Sequence, residues 1–282
     1  MATRPVRPRR FPLLRHDWPF EFGLILFGVI TFYPLLFIIS TSLKSNTQFY
    51  QSFWGPTFPF HFSNYNVAFD RIFRSILNSV VYSSLTIIVV AALASASGFV
   101  FARFKFPGKQ ALFYLFISLM MVPGVLTLAP RFVLVRSLHL LNQPMVLIVP
   151  WASSGIVLAT WLMRSYFESL PQELFDAAHV DGASDVSVFR LIALPLARPM
   201  LATIAITSLI NTWNDLIWPL VTISNREWMP LAQALIQFSS SFETDWGPLF
   251  AGYVLASIPL LNVFTFALRQ FFSGLTAGAL KA

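Results

Sequence analysis

Long apolar runs recur along this chain at about 20–43, 77–101, 110–133, 145–165, 199–221 and 249–272, separated by shorter polar stretches. Crossing a bilayer as a helix takes about 20 apolar residues, and all six runs meet that length. The pattern predicts an all-α, polytopic membrane protein. Six transmembrane helices form one membrane domain at 20–272, between a basic tail at 1–19 and a short tail at 273–282. An even number of spans puts both termini on one side. That side receives both tails and the connectors at 102–109 and 164–198, which together hold most of the Lys and Arg, so the positive-inside rule makes it cytoplasmic. Arg4, Arg7, Arg9, Arg10 and Arg15 precede the first run like the head of a signal peptide. The run itself is long enough to span and lacks an A-x-A cleavage site, so it reads as a retained helix.

One connector is unlike the others. Residues 169–199, SLPQELFDAAHVDGASDVSVFRLIALPLARP, carry the punctuation of two short helices and a tight turn. Ser169 and Gln172 have the spacing of a capping box, and Pro171 falls in the first turn, where its missing N–H costs nothing. The helix predicted there runs through Glu173, Leu174, Asp176, Ala177 and Ala178 to about Val180, with Glu173 and Asp176 near the positive end of its dipole. Gly182 ends it, Ser184 caps a second helix, and Leu194-Pro195 stops that one before the chain returns to the membrane. Ala177 and Ala178 leave a flat patch bounded by Leu174 and Phe175. Such a patch either presses into another protein's groove or belongs to an ordinary amphipathic surface helix.

Composition agrees with a membrane protein: 56% of the 282 residues are hydrophobic and 11% charged, against roughly 25% charged in soluble domains. The net charge of +7 does not point to nucleic acid, because the basic residues sit at membrane edges instead of clustering on one surface. There is no cysteine, which excludes disulfides and thiolate metal sites. His16, His61, His139 and His179 lie in separate loops without metal-ligand spacing. No G-x-x-x-x-G-K-[ST] occurs, so the chain has no P-loop for ATP.

Within the spans, the small residues at 89–98, VVAALASASG, suit close approach by a neighbouring helix. Pro34, Pro123, Pro130, Pro150, Pro219 and Pro259 fall in or beside spans, where each removes a backbone donor and invites a kink. The connectors at 44–75 and 222–246 are rich in aromatic residues and are expected to lie along the headgroup layer. Asp215 is the conspicuous ionisable residue at membrane depth. On a continuous helix Asn211, Asn214, Asp215 and Trp218 share one face. That stripe either lines a hydrated pathway where sugar hydroxyls exchange hydrogen bonds, or holds the fifth helix to its neighbours. Asn78 and Tyr82 on the second helix, with Asn262 on the sixth, are secondary pathway candidates for which packing is the competing role.

The connector at 169–199 resembles the cytoplasmic signature of ABC-importer permease subunits. Asp176-Ala177-Ala178, Asp181-Gly182-Ala183 and Leu194-Pro195 stand in the register of its E-A-A, D-G-A and I-x-L-P elements. Two positions depart from it: Asp176 replaces the usual Glu, and His179 stands where arginine is frequent. Asn78-Ser79, ARFKFPGK at 102–109, Met121-Val122-Pro123, Trp213-Asn214-Asp215 and Trp218-Pro219-Leu220 resemble the carbohydrate-importer branch, which includes the maltose and glycerol-3-phosphate permeases. The resemblance implies a non-catalytic permease in the cytoplasmic (inner) membrane of a bacterium or archaeon. Its implied partners are a second permease, two ATP-binding cassette subunits that use ATP and Mg, and an extracytoplasmic binding protein for a carbohydrate-like solute. The chain itself would bind no cofactor and no metal. Glu173, Asp176, Ala177, Ala178, Asp181, Gly182, Ala183, Leu194 and Pro195 would be the residues that couple to the ATPase. The competing readings are an ion-coupled transporter using Asp215, against which the elaborate connector and the lack of inverted halves argue, and an intramembrane enzyme, for which no second catalytic group accompanies Asp215.

Overall fold

The computed structural model describes residues 18–239 and 245–279. Residues 1–17 of the expected basic tail and 280–282 of the expected C-terminal tail lie outside the described residues. Among the described residues the chain is helical, with no strand. In order come α1 (Trp18–Ser42), α2 (Asn46–Gln51), α3 (Ser63–Arg103), α4 (Lys109–Ser118), α5 (Leu128–Ser137) and α6 (Met145–Ser169). The unusual connector holds α7 (Gln172–Val180), α8 (Asp185–Val188) and α9 (Leu194–Leu196); α10 (Arg198–Asn214), α11 (Ile217–Thr222), α12 (Leu231–Ser239) and α13 (Trp246–Ala279) follow.

Four stretches, Phe20–Ser42, Ser63–Arg103, Met145–Ser169 and Trp246–Thr265, are each long and apolar enough to cross a membrane. Asp185–Leu196 with Arg198–Asn214 makes a fifth if a pair bent by 71° is counted as one span. Two of the six expected helices are therefore not single rods, and proline explains both. The run at 110–133 divides into α4, a 3₁₀ turn at Leu119–Met121, and α5. Val122 is extended, as the ring of the following Pro123 favours. The run at 199–221 divides at Asp215, whose backbone is also extended. Pro219 lies four residues on, where its ring would strike the Asp215 carbonyl if the helix continued. A milder form of the same collision precedes Pro195, where the helix widens into a π turn at Phe189–Ala193.

Other ends differ as well. α3 has 41 residues and starts well before the expected 77, because Ala68 and Ile72 bury against Leu231, Leu235 and Phe238 of α12 and Leu249 and Ala251 of α13. α13 continues past 272 to Ala279. The aromatic connectors fold onto each other as a cap at this end of the bundle. The Phe49 ring stacks on Trp246 with centroids 5.0 Å apart. Asn64 Nδ2 donates to the carbonyls of Ser42 and Lys44, both at 2.8 Å. Buried Lys44 in turn donates to the carbonyls of Ser52 at 2.7 Å and Phe53 at 3.1 Å. α1 packs along α13 and turns the rest of its apolar surface outward.

The centre of the bundle is the parallel pair α3 and α6. Lipid offers no hydrophobic drive between helices, so close packing and interhelical hydrogen bonds must hold them together. The small-residue run of α3 supplies both. Val90 and Ala94 are fully buried, Ser97 Oγ meets Thr160 Oγ1 at 2.8 Å, and Gly98 lies directly on the α6 backbone. A Cβ at position 98 would stand 2.6 Å from Met163 Cβ and 2.9 Å from the Arg164 nitrogen. Gly98→Val is therefore expected to destabilise the protein by at least ~1–3 kcal/mol, the usual cost of overpacking. Thermal unfolding in detergent should place its midpoint below that of the parent. Gly28→Val, where a Cβ meets nothing within 4 Å, should leave the midpoint unmoved.

Candidate functional site

α7 ends as its sequence predicts. Gly182 has φ +82°, a left-handed conformation that glycine adopts freely. Its N–H donates to the His179 carbonyl at 3.0 Å, and the Ala183 N–H to the Ala178 carbonyl at 2.9 Å, the bonding of a Schellman motif. Ser184 then caps α8, its Oγ accepting from the Ser187 N–H at 3.3 Å. The expected capping box at the start of α7 is absent. α6 runs on through Ser169, whose hydroxyl donates to the Tyr166 carbonyl at 2.7 Å, so this side chain is occupied by the helix it ends.

Gln172 has a different role, as one partner of Arg103. At the end of α3, Arg103 donates from Nη2 to the carbonyl of Phe167 and, at 2.8 Å, to that of Leu170, and from Nη1 to Gln172 Oε1. These carbonyls stand at the end of α6, where intrahelical donors run short; that of Phe167 accepts also from the Leu170 N–H at 3.3 Å. The guanidinium also lies over the Phe175 ring, 4.0 Å from its centroid. Gln172 Nε2 continues the chain to Asp176 Oδ1 at 2.9 Å. Arg103 thus ties three helices together, a contact that local spacing in the sequence does not reveal.

The faces of α7 are the reverse of a simple alanine patch. Phe175 and Ala178 point inward and pack with Phe99, Phe167, Val188, Ala193 and Ile204. They share a face by their spacing of three residues, and the small size of Ala178 lets α7 lie close. Glu173, Leu174, Asp176, Ala177, Asp181 and Gly182 are exposed, as are Val180, Val186 and Leu191. Ala183 and Leu194 are half-buried and Pro195 exposed. His179 does not pair with Asp181. Its Nδ1 meets the Phe175 carbonyl at 2.7 Å and its Nε2 meets Asp185 Oδ1 at 3.0 Å. Both neighbours are acceptors, so both ring nitrogens can donate only in the imidazolium form, which this arrangement favours. The Asp185 hydrogen bond, then the one to Phe175, lifts the His179 pKa above its ordinary 6.5.

Toward the other end of the bundle lies a cavity of about 470 Å³. α6 contributes Trp151, Ser154 and Gly155, α10 contributes Thr207, Ser208 and Asn211, and the two interrupted runs contribute Arg131, Asp215 and Trp218. Asp215 Oδ2 accepts from Trp151 Nε1 at 2.6 Å, and its Oδ1 from the Trp218 N–H at 3.4 Å, across the break its own backbone makes. Trp218 donates from Nε1 to the Val146 carbonyl at 2.7 Å. Asn211, Asp215 and Trp218 therefore share a wall, but not through a continuous helical face, since the helix stops at Asn214. Asn214 is outside the cavity and donates to the Ile210 carbonyl at 2.9 Å. Asn78 donates to the carbonyls of Glu227 and Met229 at 2.8 and 3.0 Å, and Tyr82 donates to that of Trp228 at 3.4 Å. Both stand away from the cavity, in packing contacts with the cap. Asn262 is exposed. Trp151 and Arg131, which sequence reasoning did not select, are brought in by the fold, the second because the break before Pro123 redirects its run.

Two outcomes follow from the clamped helix pair. Arg103→Ala removes a donor from three acceptors and leaves the Leu170 carbonyl without this partner, at a cost of about 1–3 kcal/mol. Limited proteolysis should then cut between α6 and α8 faster than in the parent. Because the folded His179 pKa is raised, its contribution is complete below the unfolded value of 6.5 and is lost as pH climbs through the higher folded value. An NMR titration of the His179 ring should give a midpoint above 6.5, lowered by Asp185→Asn; a midpoint at or below it would contradict the clamp.

Comparison with known proteins bears on what this arrangement serves. Residues 88–276 match the family model described as binding-protein-dependent transport system inner membrane component. The diacetylchitobiose uptake system permease protein of Streptomyces coelicolor is 30% identical over 277 residues, covering 97% of this chain and 90% of that one. The maltodextrin transport system permease protein of Bacillus subtilis is 30% identical over 267 residues, covering 92% and 94%. Among solved structures, a chain of a bacterial ABC transporter involved in the import of the acidic polysaccharide alginate superposes with a TM-score of 0.79 at 23% identity, over 92% of this chain and 99% of that one. That last likeness concerns the fold. With its helix pair clamped to the bundle and its family pattern running from α3 to α13, the chain belongs to the inner membrane components of binding-protein-dependent transport systems.

Proposed function

We propose that this permease forms half of a translocation pathway for a sugar or related solute, and that α7 and α8 receive the stroke of a separate ATPase. The observation that carries the reading is the two-sided character of α7. Its inner face is fixed to α3 and α6 through Arg103 and Phe175, while its outer face presents Leu174 and Val180 among Glu173 and Asp176, with exposed Asp181, Asp185 and Leu191 following in the same connector. Exposed apolar residues rimmed by charge mark protein interaction sites. A push on that face is transmitted because the helix cannot slide on its support. The chain's lack of a P-loop supports assigning ATP and Mg to the partner subunits. Relatives named as oligosaccharide permeases support the choice of solute, and the polar wall of Asn211, Asp215 and Trp218 offers hydrogen-bonding groups beside an indole.

The outward apolar surface of α1 supports a second permease beside this one. The extracytoplasmic binding protein would meet the aromatic cap, and both termini would be cytoplasmic. Asp215 is engaged by two N–H donors, which suits a wall residue better than the coupling carboxylate of an ion-driven carrier.

The test is uptake by the whole assembly in proteoliposomes, with its second permease, ATPase and binding protein. ATP-dependent uptake is expected. Gly182→Val strains a left-handed backbone position by about 1–3 kcal/mol and should lower uptake by about tenfold or more while ATP hydrolysis persists. Uptake by this chain alone, under an ion gradient without nucleotide, would overturn the proposal.

A further inference from the structure

The cavity wall holds a guanidinium that no carboxylate among the described residues meets in an ion pair. Arg131 lies in the first turns of α5, half-buried, with Nη2 donating to Thr127 Oγ1 at 3.3 Å and the guanidinium 5.3 Å from the centre of the Trp218 ring. Among the described residues no carboxylate lies within 4.0 Å of it. The other ionisable group on the wall, Asp215, is held by Trp151 and by the backbone of Trp218. A guanidinium drawn partly out of water into such a cavity is costly unless it gains a counter-ion. Its planar fork of donors matches the two oxygens of a carboxylate or phosphate.

We infer that Arg131 is an anion-recognising group of this pathway, so that the solute is a sugar carrying a carboxylate or a phosphate. The inference rests on the cavity being the pathway, and deepens that reading. The rest of the wall fits the same ligand. Asn211 makes no side-chain hydrogen bond to a described residue, which leaves its amide for a sugar hydroxyl. Asp215 keeps lone pairs that accept only from donors, and a sugar ring supplies hydroxyl donors at a distance from its acid group. Arg131 and Asp215 therefore ask for opposite ends of one molecule, and the face of Trp218 lies beside the cation. A volume of about 470 Å³ falls within the range of about 300–1,000 Å³ usual for small-ligand sites.

The test uses the complete importer in phosphatidylcholine nanodiscs, titrated calorimetrically with digalacturonate, glucose 6-phosphate and maltose. At least one of the two acidic sugars should bind about tenfold or more tightly than maltose. Arg131→Gln should erase that preference, and Arg131→Lys should keep part of it. Equal affinities, no binding of either acidic sugar, or a preference that survives Arg131→Gln would each overturn the inference. So would loss of the preference on adding phosphatidylglycerol, which would assign Arg131 to a lipid headgroup. Binding-protein-stimulated ATP hydrolysis, measured on the same samples, separates the two levels. If hydrolysis is stimulated and the preference is missing, the solute class alone is wrong; if hydrolysis is never stimulated, the importer reading fails with it.

Discussion

The fastening of the surface helix α7 to the membrane bundle depends on the Arg103 guanidinium. A short helix has little stability of its own, and α7 has nine residues. Its fixed position comes from the carbonyls of Phe167 and Leu170, the amide of Gln172 and the ring of Phe175, all held by one side chain. Lysine has the charge but not the fork: a single ammonium does not address two carbonyls, an amide oxygen and an aromatic face with fixed geometry. The Leu170 carbonyl, just past the end of α6, needs a donor in any case. Supplying it from α3 joins the support of α7 to the closure of α6.

That support leads inward along a stiff pair. α3 and α6 approach at Gly98 and again at Gly155, where a Cβ would lie 3.2 Å from Val90. Packed interiors deform little, so a displacement of α7 moves both helices together instead of being absorbed between them. α6 carries Trp151 and Ser154 to the cavity, and α3 carries Ser83 to α10, where its hydroxyl accepts from Thr212 at 2.8 Å. The cavity wall is thus connected to the α7–α8 connector by two closely packed helices.

Much of this was legible in the chain itself, for local reasons. Gly182 and Ser184 decide their own backbone conformations, so the turn between α7 and α8 follows from a few neighbouring residues. The small-residue run of α3 announces close packing without naming the partner. Phe175 was legible in principle: with Ala178 it forms an apolar stripe at a spacing of three, but adjacency of Ala177 and Ala178 drew attention to the wrong face. Arg103 was not legible, since its acceptors lie 64 and 67 residues away and no local pattern encodes such a contact. Asn211, Asp215 and Trp218 do meet in one place, yet by a route that the helical period does not describe. Pro219 breaks the helix at Asp215, and the broken ends fold both side chains back toward the cavity.

The prolines give that route a mechanical meaning. α10 is bounded by two of them: Pro195, with a π turn before it and a bend of 71° after it, and Pro219, with the break at Asp215. Between these compliant joints the helix is continuous. One joint lies beside the coupling loop, where the Tyr166 hydroxyl donates to the Leu196 carbonyl at 2.7 Å; the other lies in the cavity wall. The hydrogen bond from Thr212 to Ser83 holds α10 to α3 near its far end, and so acts as a pivot. If α7 and α8 receive the stroke of an ATPase, as proposed, the load would reach α10 at the bend, turn it about that pivot, and be delivered as a change in the position of Asn211 relative to Trp151. A helix without the two defects would resist the same load by bending throughout. The irregularities that spoil a six-rod picture of this chain are the places where its helices resist bending least.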